Sequence, residues 1–67
     1  MIRLTVNGEI VEMEKSTPLV EYLEKLGVNT QRVAVAVNMS IIQRGRYGEI
    51  TLQDGDAVEI VRPVGGG

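Results

Sequence analysis

Cysteine and histidine are both missing from this chain. Their absence excludes disulfides, the usual zinc clusters and imidazole catalysis, and any sulfur chemistry must proceed without a thiol of the chain's own. Phenylalanine and tryptophan are missing too, and the two tyrosines, Tyr22 and Tyr47, are too few for a base-stacking platform. Nine acidic against seven basic side chains leave a net charge of −2, whereas a nucleic-acid binder needs a basic face. No apolar run approaches the length of a membrane span, and Met1-Ile2-Arg3-Leu4 lacks the pattern of a secretory signal. These absences predict a soluble, cytoplasmic protein that uses neither nucleic acid nor membrane as a partner. Sixty-seven residues allow one small domain. A domain of this size buries only about 60% of its unfolded surface, so its local organisation must be good.

What is present is strongly patterned. Ile2, Leu4 and Val6 alternate with Arg3, Thr5 and Asn7, the period-2 signature of a half-buried strand. Asn7-Gly8 tolerates the positive φ angles of a tight hairpin turn. The return strand runs from Glu9 to Glu14, with Val11 and Met13 on one face and Glu12 and Glu14 on the other. Thr17-Pro18 reads as a helix start, Thr17 as N-cap and Pro18 at the first helical position. Leu19, Tyr22 or Leu23, and Leu26 form one apolar stripe. Glu21 and Lys25 suit the two ends of the helix dipole, and Gly27 suits a left-handed C-cap. Such a helix, roughly two and a half turns long, is too short to stand alone and must pack on a sheet.

Arg32 to Val37 is a third strand with valines on one face and alanines on the other. Asn38 to Tyr47 is less regular, with a short strand at Ile41-Ile42 before Arg44-Gly45-Arg46. Glu49 to Leu52 is a brief apolar segment leading to the turn Asp54-Gly55-Asp56. Ala57 to Arg62 is the closing strand, Val58 and Ile60 inward, and Pro63 marks its exit because it cannot donate a ladder hydrogen bond. Hairpin, helix, strand, irregular crossover and strand predict a two-layer α+β domain, a mixed sheet packed on one short helix. This is the β-grasp pattern, over residues 1–64, with 65–67 as a flexible glycine tail.

Three glycines at the end have no evident folding purpose, since glycine loses the most backbone freedom on ordering. They do offer a carboxylate on a thin stalk. Val64 to Gly67, extended, reach about 13–14 Å, enough to enter another protein's active site.

The hairpin–helix–strand opening, the stretches Val35-Ala36-Val37-Asn38 and Ile41-Ile42 with Arg44 two residues on, the segment Asp54 to Ile60 and the Gly66-Gly67 end together resemble the ubiquitin-like sulfur carrier proteins. Among them the ThiS family of thiamine thiazole biosynthesis is the nearest in pattern, and the resemblance covers the whole chain. It implies a protein co-substrate and not an enzyme, with no bound cofactor or metal. It implies that an adenylating, ThiF-like activating enzyme consumes ATP to adenylate the carboxylate at Gly67. A sulfur donor such as a cysteine desulfurase then brings about the thiocarboxylate, and a ThiG-like thiazole synthase accepts the sulfur. Gly65 and Gly66 thread into the partner. The family's usual ending has a residue other than glycine before the pair, so Gly65 is a departure, and Gly66 becomes the modified position if Gly67 is an added residue. The small subunit of molybdopterin synthase, a conjugating ubiquitin-like modifier and a non-carrier β-grasp binding module remain alternatives, since fold alone does not dictate function.

A sheet covered by one helix leaves a face bare. Ala34, Ala36, Val61 and Val64, with Arg62 beside them, are the candidates for a partner surface there. Asp54 and Asp56 around a glycine read as a turn with local hydrogen bonds and not as metal ligands. Arg44 and Arg46 read as solvated, Met13 as core filler, and the tyrosines as packing residues with wet hydroxyls. Glu9, Glu12 and Glu14 solvate the hairpin's outer face and discourage edge pairing.

Overall fold

The computed structural model describes residues 1–62. Alternation in the opening segment produces β1 (Ile2–Val6) and β2 (Glu9–Met13), paired antiparallel with Leu4 opposite Val11 and Thr5 opposite Ile10. Asn7 and Gly8 make the turn with φ of 50° and 83°. After a two-residue strand β3 (Thr17–Pro18) comes the helix α1 (Leu19–Leu26). Then follow β4 (Ala34–Val37), β5 (Ser40–Ile42), a 3₁₀ helix (Arg44–Glu49), the two-residue β6 (Thr51–Leu52) and β7 (Ala57–Val61).

The main sheet runs β2-β1-β7-β4-β5. Its central pair, β1 and β7, is parallel, and the other pairs are antiparallel. A mixed sheet with α1 against one face is the β-grasp arrangement. Leu4, Val6, Val35 and Val58 from the sheet meet Leu19, Tyr22 and Leu23 from the helix, closed at the sides by Val33, Tyr47 and Leu52. Among the described residues, no helix is long and apolar enough to cross a membrane.

The helix start differs from the sequence reading. Pro18, not Thr17, is the N-cap; its ψ is 140° and no side chain caps the helix. Thr17 is drawn into the pairing of β3 with β6, opposite Leu52, and its hydroxyl donates to the Lys15 carbonyl at 3.0 Å. Thr17 therefore stands one residue ahead of the cap, with its hydroxyl turned back along the chain and not towards the first helical amides. The Leu19 amide instead donates to the Ile50 carbonyl at 2.9 Å, so tertiary structure does the capping. The apolar stripe is broader in the middle and shorter than its spacing suggested: Tyr22 and Leu23 are both buried, and Leu26 is half exposed. Gly27 is the left-handed C-cap as read, its amide donating back to the Glu24 carbonyl at 3.0 Å.

Candidate functional site: the open sheet face and the exit of the last strand

Pleating sends alternate residues of each strand to opposite faces. Val35, Val58 and Leu4 point to the helix, so Ala34 and Ala36, Val61, Thr5 and Ile10 share the bare face. Ala34 stands opposite Val61, and Ala36 stands between Glu59 on β7 and Ile41 on β5. Of these, Ala34 is exposed, Ala36 is half-buried, and Val61 and Ile41 are 57% and 83% exposed. The structure therefore brings Ala34, Ala36 and Val61 together, as expected from sequence, and adds Ile41 to them. Met39, 96% exposed with a φ of 70°, stands in the β4–β5 turn beside this patch. Ile41 was legible in principle: strand alternation through Ile41-Ile42 sends one isoleucine to the core and the other to solvent. At the far side of the same face, Arg3 and Glu12 form an exposed ion pair at 2.9 Å.

Arg62 does not join that patch. Continuing the alternation of Val58 and Ile60, it falls on the helix side, at the rim of an open groove of about 450 Å³ lined also by Val6, Val11, Tyr22, Leu26 and Ile60. A second, smaller hollow on the other side of Arg62 is shared with Gly27, Val28, Asn29 and Arg32. The last described residue thus stands between two concavities, with a second guanidinium nearby. Burial raises the Tyr22 phenol above its ordinary value, so it stays a neutral group in the groove wall. Val64, Gly65, Gly66 and Gly67 lie outside the described residues.

Other sequence candidates resolve into structural roles. Asp54 accepts from the Arg3 amide at 2.8 Å. Asp56 accepts from the Gln53 amide at 2.8 Å and from the Asn38 side chain at 3.0 Å. These carboxylates build the turn into β7, and no group of potential metal ligands occurs among the described residues. Arg46 pairs loosely with Glu49 at 3.5 Å, both well exposed. Tyr47 corrects the expectation of a wet hydroxyl: it is buried, and its hydroxyl donates to the Val33 carbonyl at 3.0 Å.

The domain is therefore a β-grasp body with an apolar patch on its open face and a last strand that leads to an arginine on the helix side. The sequence profile of the ThiS family matches residues 3–67. The chain belongs to the ThiS family. It is 38% identical over 65 residues to the sulfur carrier protein ThiS of Bacillus subtilis, covering 96% of this chain and 98% of that one. The crystal structure of the thiamine biosynthesis protein ThiS from Geobacter metallireducens superposes with a TM-score of 0.86 at 35% identity, over 98% of this chain and all of the other. A thiazole synthase of Paramagnetospirillum magneticum is 36% identical over 66 residues, which is 98% of this chain and 20% of that protein. The chain spans about a fifth of the length of the thiazole synthase relatives it matches.

Proposed function

We propose that this chain is a sulfur carrier of thiamine thiazole biosynthesis, a cytoplasmic protein co-substrate and not an enzyme. Its similarity to the sulfur carrier protein ThiS of Bacillus subtilis over nearly the full length of both chains carries this reading. In it, the Gly67 carboxylate attacks the α-phosphate of ATP within a ThiF-like activating enzyme, and pyrophosphate leaves. The reason is elementary: a carboxylate has no good leaving group, and adenylation supplies one. A sulfur nucleophile then adds to the carbonyl and AMP departs, leaving a thiocarboxylate. With hydrosulfide the exchange balances without further reagents. A cysteine desulfurase is the proposed natural source of sulfur, its persulfide reduced by a thiol to the hydrosulfide level with a disulfide formed, and a ThiG-like thiazole synthase is the acceptor. Thiazole synthase relatives that contain a stretch similar to this chain support that pairing.

The residues suit the role. Sulfur attack needs close approach to the carbonyl, and glycine has no Cβ to hinder it. Gly65 and Gly66 thread a narrow cleft, while Ala34, Ala36, Val61 and Val64 with Ile41 dock the body and Arg62 meets an acidic rim. The test is intact-mass analysis after incubation with ATP, magnesium, the activating enzyme and hydrosulfide. One oxygen should exchange for sulfur, localised to the last peptide, and Gly67→Val should block it. Full turnover of Gly67→Val, or sulfur elsewhere in the chain, would defeat the reading. Deleting Gly67 separates reach from flexibility, because it recreates a diglycine end shorter by about 3.3–3.6 Å.

A further inference from the structure

Strand β7 is held at both ends by asparagine side chains. At its entry, Asn38 Oδ1 accepts from the Ala57 amide and Nδ2 donates to Asp56, both at 3.0 Å. At its exit, Asn7 Oδ1 accepts from the Ile60 amide at 2.8 Å and Nδ2 donates to the Ile60 carbonyl at 3.2 Å. The second clamp compensates for a missing strand. β1 pairs with β7 through Thr5–Ala57 and Val6–Val58, the Asn7 amide donates to the Val58 carbonyl at 2.9 Å, and there the hairpin turns away. The polar backbone groups of Ile60 face the space that β1 has left, and the Asn7 carboxamide meets both of them as a ladder residue would.

The residue after Asn7 is Gly8, and the space where a Cβ on Gly8 would stand holds no atom within 4 Å. We propose that Asn7 is a modification site: its carboxamide converts spontaneously to aspartate and isoaspartate, and the conversion releases the exit of β7 from the hairpin. The Gly8 backbone nitrogen attacks Asn7 Cγ, a C–N bond forms, and Nδ2 leaves as ammonia. Water then opens the five-membered imide at either carbonyl. One amide and one water become one carboxylate and one ammonium, and nothing is oxidised or reduced. Asn29 precedes Thr30 and Asn38 precedes Met39, where a side chain on the following residue obstructs the same attack.

The products differ from asparagine at the contacts that matter. In the aspartate, one oxygen still accepts from the Ile60 amide, and the other stands against the Ile60 carbonyl, acceptor facing acceptor. In the isoaspartate, the main chain runs through the former side chain and no carboxamide remains. On its other side β7 keeps its pairing with β4, Val61 opposite Ala34. The exit therefore loosens while the body stays folded. The same hydrogen bonds shield the amide, so conversion in the folded protein waits on local opening.

The experiment incubates the intact chain at mildly alkaline pH, native and in urea, and separates the product by anion exchange through its extra negative charge. Peptide mapping should place the change at Asn7 ahead of Asn29 and Asn38, more slowly in the native sample than in urea. In the isolated isoaspartate product, amide exchange at Ile60 should be faster on the order of tenfold, with that of Val35 unchanged, which is the loss of about one hydrogen bond. Asn7→Asp should reproduce the aspartate form. Conversion first at Asn29 or Asn38 overturns the proposal. So does a native sample that stays unmodified at Asn7 while the urea sample converts fully, or an isoaspartate product with the parent's Ile60 protection.

Discussion

Tyr47 shows how much a single side chain carries in a chain this short. Its ring closes one side of the core and its hydroxyl ties the 3₁₀ helix to the residue before β4. Tyr47→Phe keeps the ring and strands the Val33 carbonyl, so unfolding free energy should fall by about 1–3 kcal/mol, the range for an unpaired buried polar group. Urea titration checks it, and a change near zero would mean that solvent reaches that carbonyl. Tyr22 makes a different prediction. Burial disfavours its phenolate in the fold, so as pH rises the unfolded chain surrenders the proton first. The stabilisation is complete below the ordinary value of 10.0 and is lost as pH climbs through the higher folded value. Tyr22→Phe should flatten urea midpoints across that window relative to the parent. An unchanged alkaline slope would assign it to other groups.

At the scale of elements, α1 was legible at its C-terminus and misread at its N-terminus, for one physical reason. Gly27 caps by a local device: its φ of 76° lies where glycine is free of the Cβ penalty, and it needs only the preceding turn. No neighbouring atom would obstruct a Cβ there. Gly27→Ala should therefore cost about 1 kcal/mol through backbone strain alone. Thermal unfolding reads that loss, and an unaltered midpoint would show that the helix end does not depend on the left-handed turn. The N-terminus uses no local device. Thr17 pairs with Leu52 and Leu19 donates to Ile50, partners more than thirty residues away in sequence. Local pattern contains no record of such a partner. β4 was read two residues too long at its start for the same reason, since β7 pairing reaches only to Ala34.

For the whole molecule, the consequence is a division between two surfaces at the end of β7. Val61 faces the bare side with Ala34, Ala36 and Ile41, and Arg62 faces the helix side. Val61→Asp and Ile41→Asp replace exposed side chains, so stability should move by less than about 0.5 kcal/mol. Capture by the proposed activating enzyme should weaken by at least about tenfold for each, as for a central apolar contact. Arg62→Glu tests the other surface independently. Native circular dichroism with unchanged affinity for all three variants would place docking elsewhere.

The hairpin, the helix, the closing strand and the α+β class follow from the sequence alone, because periodicity and turn chemistry act over a few residues. Family membership was legible too, in Val35 to Asn38, Ile41-Ile42, Asp54 to Ile60 and the glycines. Tertiary structure alone decided which atoms meet across the chain. It buried the Tyr47 hydroxyl against the Val33 carbonyl and set Asn7 against Ile60, fifty-three positions on. The contact of Asn7 with Ile60 joins groups that share no local pattern, and it exists only after the parallel pairing of β1 with β7 has set the two strands side by side.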